Sequence, residues 1–165
     1  MLNRSRLGTA TLALAPAAAL LTAGHWASAK LDPMGELAGR WAGLGTVTPA
    51  GGPSESFKCV VTYIPDGGSR LKQNLRCKSD SYRLDAATHL EFNGNRVTGE
   101  WQDNIYSLNG TVSGNLTDTG FDVVLSGRFF QARMSVVGSR CEQSVRVTPV
   151  RADYIQDVSA SLKKC

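Results

Sequence analysis

Cys59, Cys77, Cys141 and Cys165 are the residues of this sequence with the most readily predicted chemistry. An even number of cysteines in an exported chain predicts disulfides and an oxidising compartment. Four cysteines allow three pairings. The alternation of the flanking residues favours Cys59–Cys77 and Cys141–Cys165, because each pair then joins neighbouring strands. With all four thiols in disulfides, no cysteine is left as a nucleophile.

Residues 1–29 have the pattern of a secretory signal peptide. A positively charged start precedes the apolar run from Thr9 to Ala23, and Ala27-Ser28-Ala29 is a small-x-small cleavage site. Pro16 interrupts the apolar run, which favours a cleaved leader over a membrane anchor. No later stretch is apolar for long enough to predict a transmembrane segment. We therefore expect a periplasmic or secreted protein that begins at Lys30.

The chain after the leader offers few groups for catalysis or metal binding. His89 is its one histidine, which argues against most zinc sites and histidine-dependent nucleophiles. His89 and Glu91 share a predicted strand face, but no third metal ligand is visible. Glu100 and Asp103 are close in sequence without forming an acid–base pair. We predict no enzyme activity, no metal and no cofactor.

The charge of the chain argues against a nucleic-acid partner. The leader holds two of the 18 basic residues and no acidic ones, which leaves 16 basic and 14 acidic residues, a net charge of +2. The basic stretch from Arg70 to Lys78 is flanked by Asp66 and Asp80. Nucleic-acid binding requires a denser basic face with stacking aromatic residues.

Short β-rich runs separated by turn residues fill the rest of the chain and predict an all-β fold. The turns are marked by Pro65-Asp66-Gly67-Gly68, Asn93-Gly94-Asn95, Asp118-Thr119-Gly120 and Gly138-Ser139. Connections this short predict an antiparallel up-and-down meander. In the tail, 153–165, a strand is favoured over a helix. The predicted strands are 40–48, 55–64, 70–79, 87–92, 95–102, 105–117, 121–126, 128–137, 140–148 and 154–163.

Alternation with a period of two residues identifies the face of each strand that is buried. The second strand places Phe57, Cys59, Val61 and Tyr63 on one face. The phase of the apolar residues changes across Gly127, which predicts a bulge or tight turn there. We expect residues 30–38 to be a flexible N-terminal segment and residues 39–165 to form one domain.

Gly39-Arg40-Trp41, at the start of the first strand, resembles the Gly-x-Trp motif that opens the barrel of calycins. This superfamily contains lipocalins, avidins and a small family of bacterial protease inhibitors. The resemblance implies a small calycin-like barrel of eight to ten strands. By analogy with lipocalins, it also implies that a late arginine, Arg140 or Arg146, packs on Trp41. The tryptophans with which avidins contact biotin are not recognisable here.

Two classes of function remain open at the level of the sequence. The first is a non-catalytic periplasmic protein that holds a small apolar or amphipathic ligand inside the barrel. Trp41, Trp101, Phe57 and Tyr63 are the predicted lining residues. The alternative is an envelope protein-binding module, such as a protease inhibitor that inserts an extended 30–38 segment into a cleft, or a structural envelope protein.

Overall fold

The computed structural model describes residues 33–151 and 154–165, which form one short helix and ten β-strands. The predicted leader, 1–29, lies outside the described residues. The elements are α1 Pro33–Leu37, β1 Gly39–Pro49, β2 Glu55–Pro65, β3 Arg70–Lys78, β4 Arg83–Asn93, β5 Arg96–Asp103, β6 Asn109–Thr117, β7 Gly120–Gly127, β8 Gln131–Gly138, β9 Glu142–Arg151 and β10 Ile155–Lys163.

The ten strands form a closed antiparallel barrel. Each strand pairs with its neighbours in sequence, and β10 pairs with β1 to close the sheet. The predicted up-and-down meander is confirmed, as is the strand assignment of the C-terminal tail. Closure leaves none of the described strands as an unpaired edge, so their backbone donors and acceptors can be satisfied within the sheet.

The alternating residues of each strand form the core as predicted. Phe57, Cys59, Val61 and Tyr63 are all buried, whereas Lys58 between them is exposed. The register of β2 and β3 places Cys59 opposite Cys77, and these two residues form one disulfide. Cys141 and Cys165 form the other. The predicted pairing is therefore confirmed: Cys59 and Cys77 lie opposite each other in the sheet, and Cys141 and Cys165 flank the paired ends of β9 and β10.

The two ends of the barrel differ in what covers them. Helix α1 lies at the end that also carries the β2–β3, β4–β5, β6–β7 and β8–β9 turns, and we call this the closed end. The other five connections, β1–β2, β3–β4, β5–β6, β7–β8 and β9–β10, surround the opposite end, which we call the mouth. No helix in the described residues is long and apolar enough to cross a membrane.

Several strand bounds and the N-terminal segment differ from the sequence-based expectation; β4, for example, begins at Arg83 and not at residue 87. The predicted strand 105–117 begins only at Asn109, because Asp103 accepts hydrogen bonds from the backbone N–H groups of Ile105 and Tyr106 and turns the chain. The predicted strand 128–137 begins at Gln131, after the turn expected at Gly127. In segment 30–38, expected to be flexible, the described part contains the helix Pro33–Leu37.

Candidate ligand site at the barrel mouth

The interior is densely packed next to the closed end. The largest fully buried side chains are those of Trp41, Phe121, Leu71 and Val97, each at the second or third position of its strand from that end. Leu37 of α1 is 7 % exposed and joins the same core cluster. These side chains form a closely packed core at this end, beside which lies a hollow of about 280 Å³ lined in part by Trp41 and Phe121.

A buried polar cluster completes the closed end. The hydroxyl of Tyr63 donates to Oε1 of Gln143 at 3.5 Å and accepts from Nε2 of Gln73 at 3.4 Å. Desolvation of the phenol raises the pKa of Tyr63 to about 12, although both glutamines act in the opposite direction. Tyr63 therefore remains a neutral, hydrogen-bonded core residue at physiological pH.

The interior towards the mouth is less completely filled. Ten hydrophobic residues pack against the core while remaining partly exposed. Most of these lie at the middle of their strands or nearer the mouth. Solvent therefore reaches apolar side chains that point into the barrel, and we call this region the mouth recess. Its residues are Leu75, Cys77, Trp101, Leu125, Met134, Ile155 and Val158.

Trp101 lies in the recess against two glycines of the barrel wall. Gly110 and Gly127 are paired across β6 and β7. A Cβ atom on Gly110 would lie 2.7 Å from Nε1 of Trp101, and one on Gly127 would lie 3.0 Å from its Cζ2. Phe130 packs edge-on against the indole, with 6.4 Å between ring centroids. The absence of a Cβ at two positions thus makes room for a large flat side chain inside the barrel.

Two interior polar atoms near the recess are buried without a hydrogen-bond partner in the described chain. They are Nε1 of Trp101 and Oδ2 of Asp103. Asp103 is 4 % exposed, and its other oxygen accepts from the N–H groups of Ile105 at 2.9 Å and Tyr106 at 2.7 Å. Leaving a buried polar atom unpaired costs about 1–3 kcal/mol. One unpaired donor and one unpaired acceptor therefore lie two positions apart on the inner face of β5.

The four predicted lining residues fall into two groups. Trp41 and Tyr63 belong to the packed closed end, where they are 1 % and 2 % exposed. Phe57 and Trp101 lie towards the mouth, and the ring of Phe57 occupies the space that a side chain at Gly45 would fill. Asp103 was not among the predicted lining residues. The sequence signal at this position is a local one: an aspartate followed by Asn104 and Ile105 is typical of a side chain that caps a turn.

Two hollows lie outside the recess. One, of about 280 Å³, lies beside α1 and is lined by Trp41, Phe121 and Arg140. The other, of about 470 Å³, lies over β3 to β6 and includes His89, Glu91 and Glu100. The described residues contain no group of three side chains suited to hold a metal ion. Both hollows are lined in part by buried core residues, Trp41 and Phe121 in the first and Leu90 and Val112 in the second.

Comparison with known proteins was informative at the level of structure alone. No protein-family model matches the chain. No curated protein matches it by sequence. The crystal structure of Rv2717c from M. tuberculosis superposes with a TM-score of 0.66 and 14 % identity, over 79 % of this chain and 93 % of that one. The S-type phycobiliprotein lyase CPES from Guillardia theta superposes with a TM-score of 0.57 and 9 % identity, over 79 % and 89 %.

The fold is a small closed β-barrel with calycin-like architecture. The superpositions and the closed ten-stranded meander confirm the architecture that Gly39-Arg40-Trp41 predicted. At these identities the likeness concerns the fold, and the function depends on the site.

One expected detail is wrong: the cation over Trp41 is Lys164, 4.9 Å from the ring centroid, and not Arg140 or Arg146. Arg146 instead pairs with Asp157, both on the outer face.

Proposed function

We propose that the barrel is a non-catalytic carrier of one small amphipathic ligand, held in the mouth recess. The observation that carries this proposal is the pair of unpartnered polar atoms, on Trp101 and Asp103, beside a partly accessible apolar interior. Ligand sites in proteins combine a mostly apolar lining with a few polar groups that fix orientation. Small barrels of similar size can hold one such ligand.

The two polar atoms favour a particular kind of head group. Nε1 of Trp101 donates, and Oδ2 of Asp103 accepts when the side chain is ionised. A hydroxyl or an amide on the ligand both donates and accepts, so it can engage both atoms after a small movement of the indole. An anionic head group would add charge beside an acidic side chain and is disfavoured. We therefore propose an apolar ligand with a neutral polar head.

The other functions considered have less support in the structure. The protease-inhibitor alternative required an extended segment at Asp32-Pro33-Met34-Gly35, but helix α1 begins at Pro33. The end of this helix is also held in place, because Nζ of Lys164 donates to the carbonyl oxygens of Glu36 and Ala38. Two disulfides fit the oxidising periplasm or extracellular space, and we propose the periplasm as the site of action.

The proposal is tested with single-chain amphiphiles that differ in head group. Titration calorimetry with 1-dodecanol, dodecylamine and dodecanoate should show one site, with 1-dodecanol bound most tightly. Leu125→Arg places a charged chain in the recess and should weaken 1-dodecanol binding at least tenfold. The matched control Val137→Arg changes an exposed residue on the outer face of β8 and should bind as the unmodified protein does.

A second variant separates loss of binding from loss of folding. Trp101→Phe keeps an aromatic ring in the recess, removes the unpaired donor and makes the side chain smaller. It should stay folded and lose part of the preference for 1-dodecanol over dodecanoate. Equal binding by Leu125→Arg and Val137→Arg, or no binding of any of the three probes, would contradict a ligand site in the recess.

A further inference from the structure

Exposed apolar side chains are concentrated around one end of the barrel. Of the eleven large hydrophobic residues that the described structure leaves exposed, eight lie at the mouth. Leu44, Ile64 and Val137 are the three that lie elsewhere. Single exposed hydrophobic residues need no explanation, but a cluster that surrounds an opening is typical of an interaction surface. We call these eight residues the mouth rim: Tyr82, Leu84, Ile105, Tyr106, Leu108, Phe129, Val150 and Tyr154.

Turn formation does not account for the mouth rim. The closed end connects its strands with four short turns, and three of these consist of turn-forming residues alone: Asp-Gly-Gly-Ser at 66–69, Gly-Asn at 94–95 and Asp-Thr at 118–119. These are the residues that turns prefer, because they accept unusual backbone angles or bond to their own backbone. Apolar and aromatic residues at the other end of the same barrel therefore serve a purpose other than chain reversal.

The β5–β6 turn of the rim is held in a defined conformation by partly buried hydrogen bonds. Asp103 accepts from the N–H groups of Ile105 and Tyr106, and its own N–H donates to the carbonyl of Leu108 at 2.7 Å. Ile105 remains 45 % exposed and Tyr106 59 % exposed within this fixed turn. A buried acidic side chain is thus used to present two apolar side chains to solvent, which argues against a frayed loop.

The turn between β3 and β4 is fixed in a similar way. The N–H of Tyr82 donates to Oγ of Ser79, and the N–H of Ser81 donates to Oε1 of Glu55, each at 2.9 Å. The Ser81 hydrogen bond holds the pKa of Glu55 below its usual value. The exposed ring of Tyr82 is therefore displayed by an ordered turn.

Arginines accompany the apolar residues of the rim. Arg83 lies between Tyr82 and Leu84, and Arg128 precedes Phe129, with its guanidinium carbon 5.0 Å from the ring centroid. Within the described residues, neither Arg83 nor Arg128 forms an ion pair. Exposed apolar side chains next to arginines that form no ion pair are complementary to a surface that offers both an apolar layer and negative charge.

We propose that the mouth rim docks on a phospholipid surface that carries anionic head groups. Tyrosine side chains prefer the boundary between lipid tails and water, and the rim contains three of the four tyrosines of the chain. Arg83 and Arg128 would then contact phosphate groups. Docking of this kind turns the mouth recess towards the lipid, from which an apolar ligand can enter without crossing water.

A second copy of the chain is a less suitable partner for this surface. In a two-fold mouth-to-mouth dimer each copy would present the same arginines to the same interface, so like charges would approach one another. The rim also consists of separate turns around an opening, so two facing rims would touch only at the tips of these turns. A lipid surface adapts to separate tips and supplies the opposite charge.

The test is flotation of the full chain with vesicles of phosphatidylcholine, with and without about 30 % phosphatidylglycerol. Ile105→Ser/Phe129→Ser removes two rim residues. The matched control, Leu44→Ser/Val137→Ser, removes residues of similar exposure from the barrel wall, 62 % and 48 % against 45 % and 67 %. We expect the rim variant to lose at least tenfold in vesicle partitioning and the control to stay within twofold of the unmodified protein. All variants contain the same residues 1–32, so a difference in vesicle binding between them is caused by the substituted residues.

A second pair of variants tests the charge. Arg83→Gln/Arg128→Gln should weaken binding to the anionic vesicles by about fivefold per arginine, and should leave binding to phosphatidylcholine unchanged. Arg96→Gln/Arg133→Gln has the same net charge and should bind normally. Near-ultraviolet circular dichroism checks that each variant is folded.

Three outcomes would overturn the proposal. The first is no binding to either vesicle, and the second is equal loss in the rim variant and its wall control. The third is a dimer in light scattering that the rim variant alone abolishes without any vesicle binding, because the rim would then bind a second copy. The ligand titrations above do not depend on these results, so the two proposals can fail separately.

Discussion

The indole N–H of Trp41 donates a 2.8 Å hydrogen bond to the carbonyl oxygen of Leu37, four residues earlier in the chain. This bond fixes α1 against the first strand. Lys164 lies over the same indole: its Nζ is 4.9 Å from the Trp41 ring centroid and donates to the carbonyl oxygens of Glu36 and Ala38. The N-terminal and C-terminal ends of the barrel are thereby held together at the closed end.

The same substitution at the two barrel tryptophans should have different effects. Trp41→Phe leaves the buried carbonyl of Leu37 unpaired and opens a cavity, so we expect a loss of about 3 kcal/mol in unfolding free energy. Trp101→Phe removes a donor that has no partner in the described chain, and Trp101 is only half-buried. In urea titrations, the loss of unfolding free energy in Trp101→Phe should be less than half of that in Trp41→Phe. Equal losses would contradict the assigned difference between the two ends.

Removal of the Cys59–Cys77 disulfide should destabilise the protein more than loss of any exposed ion pair. The bridge spans 18 residues, and closing such a loop is worth about 3 kcal/mol in the chain-entropy model. We expect Cys59→Ser/Cys77→Ser to lower the Tm by about 10 °C. The control is Arg76→Ala, which breaks an exposed pair with Asp85 and should cost about 0–1 kcal/mol. Similar small shifts in both would show that the disulfide does not stabilise the fold.

Stability should fall at alkaline pH because of Tyr63. An unfolded tyrosine ionises near pH 10, whereas burial raises the pKa of Tyr63 to about 12. Between these values the unfolded chain releases a proton that the folded chain retains, so unfolding becomes more favourable as pH rises. Tyr63 makes its full contribution to stability below pH 10, and the loss of unfolding free energy approaches about 3 kcal/mol once pH exceeds 12.

The pH effect is measured by denaturant titration at a series of pH values. Tyr63→Phe should lack this decline, while Tyr106→Phe, which changes an exposed side chain, should retain it. A titration followed at 295 nm should also lose its last phenolate step in Tyr63→Phe alone. An unchanged titration curve in that variant would show that Tyr63 ionises like an accessible residue.

Asp103 should matter through the turn that it caps. Asp103→Ala leaves the N–H groups of Ile105 and Tyr106 without an acceptor and should cost about 2 kcal/mol. Asp103→Asn keeps one carbonyl oxygen in place and should cost less than half of that. Amide exchange at Ile105 and Tyr106 should accelerate at least tenfold in Asp103→Ala and much less in Asp103→Asn. Unchanged exchange in both variants would remove the structural basis for a fixed rim turn.

Local patterns were sufficient to predict most of the fold. The alternation in Phe57, Cys59, Val61 and Tyr63 predicts a strand with one buried face, since successive side chains of a strand point to opposite sides. The phase change at Gly127 predicts the turn between β7 and β8. Where prediction failed, a side chain competed with the backbone: Asp103 captures two N–H groups and delays β6 until Asn109.

Local sequence patterns predicted ten strands in meander order and favoured the two disulfides, because each depends on neighbours in the chain or on adjacent strands. The pairing of β1 with β10 arises only in three dimensions, since closure depends on the accumulated twist and stagger of all ten strands. The same long-range geometry separates Trp41 from Trp101, packing one at the closed end and leaving the other beside the mouth. Residues of one type therefore acquire different environments through contacts between segments far apart in sequence.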